Sequence, residues 1–216
     1  MVNLDELRLH DIGLAGRVSM LLGAPAELLL PERLLLYSLV RGLRPQRSLE
    51  IGTHFGGSTT IISAALDDIG AGRLVCVDPN PLVPDDVWAG VAHRAALIRG
   101  WSPDALVEAY TLAGGEFQFI FIDGDHTHTG VVRDVEGVLE VAAPGAHLLF
   151  HDSHYWEVAN AIDDCLGRWP TRLVNAGTLS MSSTEPLAAP DGTVSRWGGL
   201  RLLRVSPTFA GQGSRR

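Results

Sequence analysis

Short apolar runs alternate with stretches of helical periodicity from residue 48 to residue 169, and this alternation limits the possible folds more than any other feature. "SLEIG" (48–52), "RLVCVD" (73–78), "ALIRG" (96–100), "FQFIFID" (117–123) and "AHLLFHD" (146–152) read as strands. "GSTTIISAALDDI" (57–69), "PDDVWAGVAHRA" (84–95), "PDALVEAYTL" (103–112), "TGVVRDVEGVLEVA" (129–142) and "WEVANAIDDCLGRW" (156–169) read as helices. Apolar strands separated by helices predict a parallel sheet covered on both faces. "TRLVNAG" and "GLRLLRVS" read as an antiparallel strand pair closing one edge. The expected fold is α/β: a doubly wound, mostly parallel, seven-stranded sheet with an antiparallel edge pair and helices on both faces.

Upstream, residues 1–30 read as short helices joined at Gly13, Gly23 and Pro25. Pro31 suits the first turn of a further helix. Leu35, Leu36, Leu39, Val40 and Leu43 form its apolar stripe, and Gly42 and Pro45 are expected to stop it. Three regions follow: a helical extension at 1–44 that would cap the substrate side, the sheet domain at 45–205, and a flexible tail at 206–216.

Hydrophobic residues make up 46% of the 216 and charged residues 19%, so a packed core is expected. The formal net charge of −8 argues against a nucleic-acid partner and favours a small molecule. Two cysteines, Cys76 and Cys165, are too few for a disulfide framework and fit a reducing compartment. The first residues show no signal-peptide pattern, and "LLLPERLLLYSLV" is too short and too broken to span a bilayer. A cytoplasmic protein without a membrane partner is expected, with homo-oligomerisation left open.

In such sheets ligands bind beyond the carboxyl ends of the strands. Those ends here are Glu50-Ile51-Gly52, Asp78, Gly100-Trp101-Ser102, Asp123 and His151-Asp152. "LEIGTHFGGST" places Gly52, Gly56 and Gly57 between a strand and a helix, where they permit a tight turn and close backbone approach. The spacing is not G-x-G-x-x-G, which disfavours a dinucleotide. Asp78 can accept hydrogen bonds from a ribose diol; the plainer reading is a helix N-cap ahead of "PNPLVPDD".

Asp123 and Asp152 end adjacent strands, and two close carboxylates repel unless a proton or cation lies between them. A hard divalent cation such as Mg²⁺ suits oxygen donors. His126, three residues after Asp123, is a candidate base because imidazole titrates near neutrality. The plainer reading of "DGDHTHTG" is a loop whose Asp and Thr cap the next helix. His147 reads as core, His128 as structural or substrate-lining, and His54 as a cofactor or substrate neighbour. His154, Tyr155 and Trp156 are candidates for an acceptor wall.

"LEIGTHFGGST", "VCVDPN", "RGWSPDAL" and "IDGDH…PGAHLLFHDS" together resemble the class I S-adenosylmethionine-dependent methyltransferases, whose fold is Rossmann-like. The E-x-G-x-x-x-G-x-S form is similar to the divalent-metal-dependent small-molecule O-methyltransferases, including the catechol and caffeoyl-CoA enzymes. "IDGDH" with a later "HD" is closer to the macrocin, mycinamicin and cephalosporin-hydroxylase-like group of natural-product pathways. The resemblance spans roughly residues 45–155.

It implies S-adenosylmethionine as cofactor, with the methionine moiety at the Gly52 turn, the ribose at Asp78 and the adenine at Trp101-Ser102. Glu50, Thr53, Gly56, Ser58 and Asp123 complete the implied contacts. It also implies Mg²⁺ or Mn²⁺ on Asp123 and the 151–153 region. Here the chain departs from the pattern: His151-Asp152-Ser153 stands where relatives carry paired carboxylates or Asp-Asn. Asp152 is then a ligand, and His151 or Ser153 is a candidate third. The resemblance further implies a base at His126, with Asp125 competing. The implied reaction is methyl transfer to a hydroxyl of a sugar or of a polyketide or phenolic natural product, including antibiotic biosynthesis. The rival reading is a module of the same fold that has lost catalysis.

Overall fold

The computed structural model describes residues 16–188, 192 and 194–207. The expected break at Gly13 and most of the expected tail lie outside these. The described residues begin with α1 (16–23), α2 (Leu30–Leu43), β1 (Arg47–Ile51), α3 (Gly57–Ile69), β2 (Arg73–Asp78), α4 (Asp85–Val91) and β3 (Ala95–Arg99). It continues with α5 (Leu106–Ala113), β4 (Phe117–Ile122), α6 (His128–Val141), β5 (Ala142–Phe150), α7 (Trp156–Arg168) and β6 (Leu173–Ser180). The short β7 (Leu187–Ala188) and β8 (Val194–Ser195) form a separate hairpin ladder before β9 (Leu200–Val205).

The main sheet has seven strands in the order β3-β2-β1-β4-β5-β9-β6. The pairings among β1 to β5 are parallel. β9 inserts antiparallel between β5 and β6, so the edge pair expected from sequence is present, with β9 running against both its neighbours. The chain moves outward from β1 through β2 to β3, then returns to lay β4 on the other side of β1. That reversal opens a crevice at the carboxyl ends of β1 and β4.

β4 shows why its run lacks alternation. Phe119 and Phe121 pack with Leu36, Val40, Ile61, Ile62 and Leu66 beneath α2 and α3. Ile120 and Ile122 face Val131, Val135 and Ile162 from α6 and α7. A strand buried on both sides needs apolar residues at every position. Cys76 and Cys165 are buried free thiols.

Three local expectations change. Gly42 lies inside α2; the helix ends where Arg44 turns left-handed at φ 52°, just before Pro45. β5 starts at Ala142, and Pro144-Gly145 falls in an irregularity where the register with β4 shifts between Phe117 and Phe119. His147 is half-buried, because it sits beside Arg204 on a partly open face. Among the described residues no helix is long and apolar enough to cross a membrane.

Phe119→Ala should destabilise the protein by about 3–5 kcal/mol, since it empties a fully enclosed site in the middle of the sheet. Urea unfolding followed by circular dichroism measures this; a loss below about 1 kcal/mol would mean that α2 and α3 collapse into the space.

Candidate active site

The crevice between β1 and β4 is a cavity of about 910 Å³. Its floor is the turn after β1. The Ile51 carbonyl accepts from Asp123 N–H at 2.8 Å, and Gly52 N–H donates to Val77 O at 3.0 Å, so three strands are held together at their ends. A Cβ on Gly52 (φ 88°) would overlap the Asp123 carbonyl, so only glycine lets β1 and β4 approach this closely. A Cβ on Gly57 would strike the backbone of Ala26, which is why the 25–28 segment can cross the start of α3.

Asp78 pins this turn. Its Oδ2 accepts from Thr53 N–H at 2.8 Å and His54 N–H at 2.9 Å, and its Oδ1 from Asn80 N–H at 2.7 Å. The capping alternative took a different form: α4 begins after Pro84, and Asp78 ties the β1–α3 turn instead. A carboxylate has about four lone-pair directions, so three bonds leave room for an incoming hydroxyl.

Gly52, Thr53, Ser58, Asp78, Trp101 and Ser102 line one part of the cavity; Asp123, Asp125, His126, His151 and Asp152 line another. Glu50, Gly56 and Ser153 are not on the wall. Glu50 is paired between Cys76 and Phe121 inside the sheet, where its Oε2 accepts from Thr59 Oγ1 at 2.5 Å. Burial pushes its carboxyl up to about 7, against the opposing Ser58 and Thr59 hydroxyls. Glu50 thus supports α3 from below, where a strand-interior position puts it.

Asp123 follows β4 and Asp152 follows β5, as neighbouring parallel strands require. His126 Nε2 lies 2.9 Å from Asp152 Oδ2 and 3.5 Å from Asp123 Oδ1. His151 Nδ1 lies 3.1 Å from Asp123 Oδ1 and 3.3 Å from Asp152 Oδ2. One donor atom each from Asp123, His126 and Asp152 falls within 4.8 Å of the others, a grouping able to hold a metal ion. Asp152 adopts φ 50°, and its Oδ1 accepts from Gly198 N–H. Such a conformation is costly for a residue with a side chain, which suits a position held for its carboxylate.

Burial opposes charge on His126, but hydrogen bonds to Asp123 and Asp152 outweigh it and raise the imidazole to about 9. Burial likewise works against both aspartates, and the two imidazoles hold them below the usual carboxylate range. Among the described residues, the Ser153 hydroxyl is buried without a partner. Asp125 Oδ1 accepts from Thr127 N–H at 2.9 Å, and Thr127 Oγ1 caps α6 through Gly130 N–H at 3.1 Å. The loop therefore caps its helix and also delivers His126 to the carboxylate pair.

His54 lines the cavity and pairs with Glu27 at 3.2 Å. His128 lies off the wall, its backbone N–H bonded to Glu157 at 2.8 Å. Trp197 was missed in the sequence: it precedes β9, stacks on Tyr155 at 4.3 Å and meets His126 edge-on at 5.4 Å. Tyr155 of the expected acceptor wall thus acts through Trp197. Thr184, Arg133 and Asp134 are further wall residues without a motif.

A family model described as a methyltransferase domain matches residues 49–153. The fold is similar to that of the O-methyltransferase TomG from Streptomyces achromogenes, solved with SAM and involved in tomaymycin synthesis. That match has a TM-score of 0.61 and 20% identity, covering 83% of this chain and 81% of that one. Cofactor-bound Rv0187 from MTB matches with a TM-score of 0.62 and 23% identity over 90% and 89% of the two chains. An O-methyltransferase from Bacillus cereus with bound SAH matches at 0.62 and 18% over 88% and 91%. At these identities the likeness is one of fold. No curated protein matches by sequence.

Sheet order and glycine turn are those of the Rossmann-like methyltransferase fold, and over residues 49–153 the chain is similar to a methyltransferase domain.

Asp134 provides a pH test of the wall. Burial pushes its carboxyl up to about 7 from 3.8, only partly opposed by the neighbouring Ser102 hydroxyl and the Arg133 charge. Between those values the folded state binds a proton that the unfolded state has released, so stability falls as pH rises through the window. Asp134→Asn removes this loss. The variant should be more stable than the parent at pH 8, with the gap closing toward pH 4, in thermal unfolding across that range. A gap independent of pH would mean that Asp134 is ionised in the folded protein.

Proposed function

We propose that this chain transfers the methyl group of S-adenosylmethionine to a hydroxyl oxygen of a small molecule, assisted by a divalent cation. The observation that carries the reading is the meeting of Asp123, His126 and Asp152 beside the glycine-turn cavity. Two carboxylates and an imidazole converge there, and mixed N and O donors at this spacing fit a divalent ion. Mg²⁺ or Mn²⁺ would be held by Asp123, Asp152 and His126; when bound, such an ion holds the acceptor oxygen and lowers its pKa.

The chain's own residues do the positioning. The β1–α3 turn, pinned by Asp78, receives the methionine and ribose moieties, and Trp101-Ser102 the adenine. The acceptor enters from the side of residues 25–28, Thr184 and Trp197, where part of the proposed cap over residues 1–44 lies. Trp197, backed by Tyr155, offers a flat apolar face suited to a phenolic or sugar ring. In the transfer the S–CH₃ bond breaks as the O–CH₃ bond forms. The sulfonium becomes the neutral thioether S-adenosylhomocysteine, and the hydroxyl proton leaves. Holding oxygen, carbon and sulfur in line is largely an orientation effect. That TomG is an O-methyltransferase involved in tomaymycin synthesis supports oxygen as the acceptor atom and a natural-product substrate here.

His126 is assigned to the cation rather than to free base duty. The two carboxylates raise its imidazole to about 9, and a divalent cation held there would stand in place of the proton. Asp125, on the wall three residues before His128, is the alternative proton acceptor.

Asp78→Ala should weaken S-adenosylhomocysteine binding by about 1–3 kcal/mol, because three backbone N–H groups lose their acceptor along with the ribose. Calorimetry measures this; unchanged affinity in a folded variant removes Asp78 from the cofactor site. EDTA should abolish methyl transfer, and Mn²⁺ or Mg²⁺ should restore it. His126→Gln should then lower both turnover and Mn²⁺ affinity. Lost turnover with intact Mn²⁺ affinity would instead make His126 the base, and full activity in EDTA would defeat the metal-assisted mechanism.

A further inference from the structure

Glu32 is a carboxylate with no solvent exposure, in the first turn of α2. Capping a helix start does not require such burial. Its Oε2 accepts from Leu29 N–H at 2.9 Å, and its Oε1 from Gly199 N–H at 2.5 Å and from Ser180 Oγ at 3.4 Å. Its remaining partner is His151 Nε2, at 3.2 Å from Oε2. An ionised carboxylate only accepts, so Nε2 must carry the hydrogen.

That fixes the other side of the ring. In the neutral imidazole Nδ1 then presents a lone pair, and it faces two more acceptors: Asp123 Oδ1 at 3.1 Å and Asp152 Oδ2 at 3.3 Å. Without a positive charge the three would repel, so this buried place takes either a proton on Nδ1 or a shared cation. His151 Nδ1 lies beside the group of Asp123, His126 and Asp152, whose donor atoms fall within 4.8 Å of one another, and its separations of 3.1 and 3.3 Å are to the two carboxylates of that group. Donors bound about 2.0–2.2 Å from one ion lie about 2.8–3.6 Å apart when adjacent, the separation that His151 Nδ1 keeps from each carboxylate.

We propose that His151 Nδ1 is a metal ligand and that Glu32, from the N-terminal helix, is the positioning residue that orients it. The inference rests on the metal reading above and adds a fourth donor and an outer partner. A carboxylate behind a ligating histidine fixes its tautomer and strengthens its donation. Two imidazoles and two carboxylates also favour Mn²⁺, Fe²⁺, Co²⁺ or Zn²⁺ over Mg²⁺. α2 is thereby tied to the metal centre through Glu32, and to the start of β9 through Gly199.

The test uses the full-length, metal-stripped protein titrated with Co²⁺, read by visible absorption and by calorimetry. Wild type should bind one Co²⁺ with a ligand-field spectrum, and a large excess of Mg²⁺ should not displace it. Glu32→Gln should weaken Co²⁺ binding about 10–100-fold and shift the spectrum. His151→Gln should weaken it at least as much, and it carries the test if Glu32→Gln fails to fold. Calorimetry with S-adenosylhomocysteine should give near-wild-type affinity in both variants, showing that the cofactor half is intact. If wild type binds Co²⁺ but both variants bind it equally well with the same spectrum, His151 is not a ligand and Glu32 only caps α2. If wild type binds no Co²⁺, the metal reading fails, and this inference with it; His151 then serves as a charged bridge between Asp123 and Asp152.

Discussion

Two carboxylates at the ends of adjacent parallel strands are the constraint around which this site is arranged. The β4–β5 register, with Ile122 opposite Phe150, brings the residues that follow each strand side by side. Asp123 and Asp152 must therefore share a small, partly dry space, where like charges are costly. The surrounding elements answer that charge. The loop before α6 supplies His126, the end of β5 supplies His151, and the segment before β9 supplies the Gly198 N–H. Each group comes from a different stretch of chain, so the charge problem organises the tertiary structure around the rim.

The glycine-turn side depends on backbone rather than on charge. Gly52 lets Asp123 approach, and Asp78 holds the turn through its neighbours' N–H groups. The two halves meet at Asp123, whose backbone N–H binds the Ile51 carbonyl while its carboxylate joins the imidazoles. A single residue thus sets the spacing between the glycine turn and the carboxylates, the two places the proposed transfer would bring together. Such positioning contributes strongly to a transfer that needs three atoms in line.

Much of this was legible in the chain because the sheet is regular. A parallel strand buried on both faces shows itself as an unbroken apolar run, and the residue after the run sits on the rim. Asp78, Asp123 and Asp152 could be placed by that rule alone. Glu50 shows where it stops working: it precedes Gly52 by two positions, still inside the strand, so its side chain lies under α3 rather than on the wall. Asp125 shows a second limit, since a carboxylate beside a helix start is drawn into the turn there.

Local periodicity and strand-end residues, which depend only on neighbours in the chain, determined the seven-stranded α/β architecture, the glycine turn and the acidic rim. Tertiary structure alone decided the partners that arrive from far away. Glu32 reaches His151 across 119 positions, and Gly199 reaches Glu32 across 167. Trp197 comes to His126 from the segment before β9. No periodicity links such residues. Their meeting depends on where β9 inserts between β5 and β6 and on how α2 packs over the sheet, and both are settled by burying apolar surface on the two faces at once.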